Sequence, residues 1–405
     1  MPVHIIILGG GFGGVYTLLS LRKHMKGIPY TVTLISDKET FSFTPFLSEV
    51  VGDMLPSDEA MTHINDLIKK DTETYLQGKV EKIDLANKKT YITSNQECTY
   101  DYLVIAIGST TNFLHVPGAQ EHCLVLKDIT DATHIKERID AIFTEATNIQ
   151  DPEERKRILT FAVIGGGPTG IEIASDMEEH IDHLLHTKHQ SIQKAETSVI
   201  LINSGNEVAK EFDTEMRQKA AELIQKETIT LKLNARVKEI QEETVILTDD
   251  TTVKAHTIIW SAGVKANTLV VDPTTSIDPN SQKFIVDPFL RLSDYPEVFA
   301  IGDIAMFADT TKKLPMLAQA AVSEGICTGK NIGKTLKKQK LHTYSYHSKG
   351  ELMSVGKGEG IASIYGIDIS GRLAWFLWRM IYLYKYIDTR KKPAILYHWI
   401  LDSFK

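Results

Sequence analysis

Two stretches of this 405-residue chain repeat one design. Residues 3–14 read VHIIILGGGFGG, and residues 160–170 read TFAVIGGGPTG. In each, an apolar run meets a glycine cluster, and helix-compatible sequence follows (VYTLLSLRKHM and IEIASDMEEHIDHLL). A second apolar run comes next, TVTLIS at 31–36 and SVILIN at 198–203. Strand, glycine turn, helix and strand make a βαβ unit whose helix start is a ready anion site. Gly9, Gly11 and Gly14 form one GxGxxG, and Gly165, Gly167 and Gly170 form another. The first glycine permits a tight turn, the second lets a pyrophosphate reach the backbone, and the third lets helix pack on strand. The chain therefore reads as carrying two dinucleotide-binding units.

Further runs fit the same plan. YDYLVIAIGS (100–109) and HTIIWSAGV (256–264) each close one unit, and PEVFAIGD (296–303) is another buried strand ending in Gly-Asp. Residues 128–158 read as a charged helical linker. The expected fold is α/β, with two Rossmann-like dinucleotide-binding domains, the second inserted in the first. Residues 1–115 and 266–335 would form the first, 116–265 the second, and 336–405 a C-terminal amphipathic helical membrane anchor.

Composition narrows the function. With 42% hydrophobic and 24% charged residues the chain is globular rather than disordered. A net charge of −7 gives no basic field for nucleic acid. Cys98, Cys123 and Cys327 are odd in number and far apart. They make neither a disulfide framework nor a metal site, and a reducing cytosolic setting follows. The N-terminus lacks a basic n-region and cleavage site, so no signal peptide is expected. No stretch offers the ~20 apolar residues of a membrane span.

A chain needs two dinucleotides when one is a prosthetic flavin and the other a diffusible nicotinamide. GGGFGG, YDYLVIAIGS, GGGPTGIE, WSAGV and FAIGD, in that order, resemble the two-dinucleotide-domain flavoprotein reductases. The resemblance implies a non-covalent FAD on Gly9, Gly11, Phe12, Gly13 and Gly14, beside Ala106 and Gly108, with Gly302 and Asp303 holding its ribityl and pyrophosphate. The usual ribose-binding acid is displaced: Ser36 stands in its place and Asp37 follows, so either can serve. NADH would lie on Gly165, Gly167, Pro168, Thr169, Gly170, Glu172, Ala262 and Gly263. Asn203 occupies the position where Glu is common, and no arginine follows to clamp a 2′-phosphate, which favours NADH over NADPH.

Several branches carry a redox cysteine pair after the first βαβ unit, but FSFTPFLSEVVGDML (41–55) has no cysteine, so a dithiol relay is excluded. LAQAAVSEG (317–325) and the tail are similar to type II NADH:quinone oxidoreductases, single-subunit enzymes that do not pump protons. That resemblance implies hydride transfer from NADH to FAD, then two electrons to a membrane quinone. Gln319 and Ala320 would lie by the flavin, and Glu172 by the nicotinamide–flavin contact, with Glu172 and Gln319 as catalytic residues. Glu172 can also be read as a first-turn carboxylate favouring the helix dipole. Ser323 replaces a usual second Gln. Two other readings stay open: a soluble NAD(P)H reductase of a protein acceptor, ferredoxin-reductase-like, and a sulfide:quinone-type reductase.

The tail from 371 carries Arg372, Arg379, Lys385, Arg390, Lys391, Lys392 and Lys405 against Asp388 and Asp402, with Trp375, Trp378 and Trp399. A helix over 372–387 would measure ~24 Å, short of a ~30 Å hydrocarbon core. Arg372 and Arg379 share a face, which predicts a helix lying in the membrane interface with both arginines at head-group level. Pro393 opens a second helix, with Leu396, Tyr397, Ile400, Leu401 and Phe404 on one face and His398, Asp402 and Lys405 on another. The expected location is the cytoplasmic face of the cell membrane, held peripherally. A dimerisation or core-covering arm is the other reading of the tail, and a homodimer stays compatible.

Overall fold

The computed structural model describes residues 2–93, 96–273, 277–309 and 314–402. They fall into two compact units, Met1–Phe41 with Thr62–Thr110 and Val264–His347, and Ser42–Met61 with Thr111–Gly263 and Ser348–Lys405.

The first unit is built on a five-stranded parallel sheet in the order Val298–Ala300, Tyr102–Ile105, Val3–Leu8, Tyr30–Ser36, Glu73–Gln77. Ile5 to Leu8 have no exposed surface, as an apolar run covered on both faces requires. The chain leaves Val3–Leu8 to one side and returns on the other at Tyr102–Ile105. Their carboxyl ends thus frame the crevice where doubly wound sheets bind ligands. Helix Phe12–His24 crosses over between Val3–Leu8 and Tyr30–Ser36. Helix Ala318–Leu336 lies against it through Gly325, Gly329 and Gly333. A Cβ at Gly325 would stand 2.5 Å from the Gly13 carbonyl oxygen, and one at Gly329 would stand 2.6 Å from Ser20 Cβ. The glycine stripe is what lets the two backbones approach this closely.

The second unit repeats the plan with the parallel order Leu124–Val125, Thr257–Trp260, Thr160–Ile164, Ser198–Ile202, Thr230–Lys232. The charged linker is two helices, Ile129–Asn148 and Pro152–Ile158. The first opens on a reciprocal capping box of Asp128 and Asp131. Residues 42–61 and 348–405 belong to this unit rather than to the first domain and a separate tail region. The reason is aromatic packing. Phe46 stacks on Tyr386 at 5.6 Å and meets Trp399 edge-on at 5.6 Å, while Trp378 lies 6.3 Å away.

The tail begins with antiparallel strands Glu351–Ser354, Gly360–Ile364 and Ile367–Ser370. Helices Arg372–Lys385 and Lys392–Asp402 follow, close to the spans read from sequence. Their facing differs in one respect that matters. Arg379 is 3% exposed rather than at head-group level, whereas Arg372 is exposed. Its Nε meets Glu49 Oε1 at 3.1 Å, its Nη2 meets Asp402 Oδ2 at 3.3 Å, and its guanidinium lies 4.0 Å from the Trp375 ring centroid. Two carboxylates and an aromatic face replace water, so the charge is tolerated inside. Asp402, expected on a polar outer face, is buried for the same reason, and Trp378 and Trp399 are buried with it. Leu373, Phe376, Tyr384, Leu396, Tyr397, Ile400 and Leu401 do face outward. Phe404 and Lys405 lie outside the described residues. Among the described residues no helix is long and apolar enough to cross a membrane.

Candidate functional site

In the first unit the glycine turn follows Leu8. Gly9 has φ +109°, a conformation side chains rarely adopt, and a Cβ there would overlap the Ala106 carbonyl oxygen. A Cβ at Gly14 would overlap the Gly9 carbonyl oxygen, so strand and helix meet through bare backbone. At Gly11 nothing lies within 4 Å of the same position. The middle glycine therefore faces open space where a phosphate fits. Gly11 is also the N-cap of helix Phe12–His24, with no side-chain cap and no acid in the first turn. The helix starts at Thr214 and Pro152, by contrast, are capped by Asp213 and Asp151. The amides left unbonded at this N-terminus suit an anion.

Most of the other residues expected beside the flavin follow the carboxyl ends of strands of the same sheet. Gly13 lies against Ile301 and Ala106. Ser36 is buried beneath the turn, where its Oγ accepts from the Lys38 N–H at 3.2 Å and blocks a Cβ at Gly10, while Asp37 is exposed. Gly108 and Gly302 take positive φ (+66° and +74°). Asp303 accepts from the Ser109 hydroxyl at 2.5 Å. Helix Ala318–Leu336 begins without a side-chain cap, so its first turn offers the amides of Gln319 and Ala320. Gln319 Nε2 is buried with no hydrogen-bond partner, an orphan donor of the kind a bound ligand satisfies. Ser323 is engaged elsewhere, with Ala320 O at 2.9 Å and the Tyr344 hydroxyl at 2.7 Å. These residues fit an FAD: one unit holds a positive-φ turn, an open middle glycine and, on the helix packed against Phe12–His24, an orphan amide.

Sequence reasoning missed Glu324. It has no exposed surface, its Oε2 accepts from the Gly302 N–H, and its Oε1 has no partner. Burial pushes its carboxyl up to about 7. The available signal was one acid inside the small-residue run AQAAVSEGICTGKNIG. Because it pins the turn that presents Asp303, Glu324→Ala should weaken FAD binding about 5- to 150-fold, matching ~1–3 kcal/mol for an orphaned buried donor. Glu324→Gln keeps an acceptor oxygen and should bind FAD like the parent. Flavin titration of the apoprotein checks both, and equal affinity for Glu324→Ala would remove Glu324 from the site.

The second unit mirrors the first. Gly165 has φ +121°, with Ala262 N 2.9 Å from where a Cβ would stand. A Cβ at Gly170 would overlap the Gly165 carbonyl oxygen, and at Gly167 the nearest atom is Glu211 Oε1 at 3.8 Å. Pro168 follows the uncapped Gly167 and Thr169 completes the turn of helix Pro168–Thr187. Gly263 is also at positive φ. Asn203 is tied into the scaffold: its Oδ1 accepts from the Gly166 N–H at 3.3 Å and its Nδ2 donates to Glu207 O at 2.7 Å. Glu172 turns toward the tail, where its Oε1 accepts from Trp378 Nε1 at 3.1 Å and the Ser354 N–H at 3.3 Å. Burial, then the Asp176 carboxylate, push its carboxyl up to about 8. It is thus poised to hold a proton at neutral pH.

The profile of the pyridine nucleotide-disulphide oxidoreductases matches residues 3–325. The chain belongs to that family. This pyridine nucleotide-disulphide oxidoreductase departs from its family's name in one respect, since Cys98, Cys123 and Cys327 are free. It is 28% identical over 406 residues to a probable NADH dehydrogenase of Dictyostelium discoideum, covering 98% of this chain and 88% of the relative. It is 28% identical over 414 residues to the type II NADH:quinone oxidoreductase Ndh of Mycobacterium tuberculosis, covering 98% and 87%. The solved structure of NDH2 from Plasmodium falciparum in complex with NADH shares the fold at a TM-score of 0.89 and 22% identity, covering 99% and 98%. The sulfide:quinone oxidoreductase of Aquifex aeolicus shares it at 0.74 and 18%, covering 94% and 90%. The similarity thus reaches past the glycine fingerprints and includes the tail.

Proposed function

We propose that the chain is a type II NADH:quinone oxidoreductase, passing a hydride from NADH to non-covalent FAD and two electrons on to a membrane quinone without pumping protons. The observation that carries this is the pair of uncapped glycine cradles, each open at its middle glycine, on one chain without a cysteine pair in 41–55. The similarity over 98% of the chain to enzymes of that name supports it. FAD, when bound, supplies the two-electron chemistry. The protein's part is to hold phosphates at two helix starts, to offer Gln319 to the ring, and to keep a proton at Glu172. Burial pushes the thiols of Cys327 and Cys123 up to about 11 and about 12. Such groups stay thiols at neutral pH, which argues against a sulfide-oxidising reading.

Membrane attachment is assigned to the outward faces of the last two described helices, where Phe376 and Tyr397 are half exposed and Lys385 and Arg390 are exposed as well. Deleting the tail would also remove Trp378 and Arg379 from the interior, so surface substitutions test the anchor better. Leu373→Ser/Phe376→Ser and Tyr397→Ser/Ile400→Ser should each cut binding to anionic vesicles tenfold or more, at roughly 1.5–3 kcal/mol per large apolar side chain. Melting should stay within a degree or two of the parent. Unchanged sedimentation with vesicles would reject the anchor. The function itself is tested with purified yellow protein, NADH and a quinone in liposomes. NADH oxidation confined to soluble protein acceptors would overturn the assignment.

A further inference from the structure

A row of acids in the second unit has no part in the chemistry described so far. On helix Pro168–Thr187, Glu172, Asp176 and Glu179 fall four and three residues apart, so they share one face over about 10 Å. Glu49, Arg379 and Asp402 face them from Leu47–Val51, Arg372–Lys385 and Lys392–Asp402. Asp176, Glu179, Glu49 and Asp402 thus share one guanidinium, which is already bonded to Glu49 and Asp402. Asp176 is 1% exposed, and its Oδ2 has no hydrogen-bond partner; neither has the buried Glu179 Oε1. Buried polar atoms are normally hydrogen-bonded, and here one row holds two carboxyl oxygens that are not. At its far end a Cβ at Gly356 would stand 3.2 Å from Glu179 Oε1 and 2.9 Å from Glu227 Cδ, so these two carboxyls flank one bare backbone position. Glu227 follows helix Thr214–Lys226, is half-buried, and lies near Glu178, Glu359, Asp182 and Lys194.

We propose that Glu227, Glu179 and Asp176 form a proton relay that carries one proton from water to Glu172 for each quinone reduced. The inference rests on the quinone-reductase reading above. The hydride of NADH brings two electrons and one hydrogen, so NADH, quinone and one further proton give NAD⁺ and quinol. Glu172 delivers that proton toward the quinone oxygen. Asp176 then reprotonates Glu172, Glu179 reprotonates Asp176, Glu227 reprotonates Glu179, and water reprotonates Glu227. Each O–H bond breaks as the next forms, and no net charge remains inside. Burial and like-charged neighbours push Asp176 up to about 8 and Glu179 up to about 9, so both arrive protonated at neutral pH. Arg379 and Glu49 form the fixed ion pair beside them.

The test uses FAD-loaded holoenzyme carrying Asp176→Asn or Glu179→Gln. Quinone-coupled NADH oxidation should fall about 10- to 100-fold. Ferricyanide, which accepts electrons without protons, should be reduced within about twofold of the parent rate. Asp176→Glu and Glu179→Asp should recover most of the quinone rate. A second readout needs no turnover. These acids have folded-state values above the ordinary 3.8 to 4.5, so the folded state holds more protons than the unfolded one across the window up to about 8 or 9. Stability must therefore fall as pH rises through that window, and Asp176→Asn should flatten the fall. Where Asp176→Asn does not fold, Glu227→Gln at the water end gives the same acceptor comparison. Parent-like quinone rates in the folded variants overturn the relay while leaving the quinone-reductase reading intact. A parent enzyme that reduces no quinone overturns both.

Discussion

Gly14→Ala is expected to yield a folded protein that carries no flavin. The added methyl would overlap the Gly9 carbonyl oxygen, a backbone atom that no rotamer change can move aside. Gly9 has little room to give way, because its N–H is bonded to Ile35 O at 2.7 Å and the Ala106 carbonyl crowds its other side. Helix Phe12–His24 must then lift from strand Val3–Leu8. Overpacking of this kind costs about 1–3 kcal/mol, and the lift also displaces the unbonded amides at the helix start. Gly11→Ala provides the contrast. Nothing in the protein lies within 4 Å of its new methyl, so melting should match the parent, yet the methyl stands where the pyrophosphate belongs. Both variants should show flavin-to-protein ratios below a tenth of the parent after acid release. A Gly14→Ala protein that is yellow and parent-like would remove this turn from the flavin site.

Arg379→Met should cost about 3–5 kcal/mol of unfolding free energy, the usual result of stranding buried charges without their partner. Glu49 loses its 3.1 Å contact and keeps the Trp399 indole N–H at 2.8 Å, while Asp402 loses its ion-pair partner. Arg379→Lys should restore only part, since an ammonium cannot reach both carboxylates and stack on Trp375. Arg379→Met/Glu49→Gln should recover part of the loss of Arg379→Met, because it leaves only Asp402 without its ion-pair partner. Denaturant unfolding of the three variants measures this directly. Were Arg379 instead at a membrane surface, Arg379→Met would leave unfolding unchanged and weaken vesicle binding.

The glycine cradles were readable from sequence because their constraint is local. Whether a Cβ fits at Gly9 or Gly14 is decided by backbone within a few residues and by one neighbouring strand, and the fingerprint spacing records that. The tail was readable only by half. Its helices follow from composition and from Pro393, but both faces are apolar, so nothing nearby says that Trp378 turns in and Phe376 turns out. The deciding partners are Phe46 and Glu49, more than three hundred residues earlier, in a segment informative at first only for lacking cysteine. Glu324 stayed hidden for a related reason: its partner is a backbone N–H at Gly302, which leaves no trace in side-chain pattern.

The interleaving of the two units has a consequence for how the protein is made. Each unit contains residues from the first fifth of the chain and residues from the last third. A ribosome that has finished the second glycine fingerprint and its strands has completed neither. The first sheet still waits for Val298–Ala300, and the face of helix Phe12–His24 around Gly13 and Ser20 waits for Gly325 and Gly329. The second unit waits longer, until Trp399 and Asp402 emerge to cover Phe46 and Arg379. The first unit can close only once helix Ala318–Leu336 is out and the second only once Lys392–Asp402 is out, so apolar surface stays uncovered until late in synthesis. Chains that stop before Gly329 are left without a finished core in either half, which exposes them to proteolysis before they can take up a cofactor.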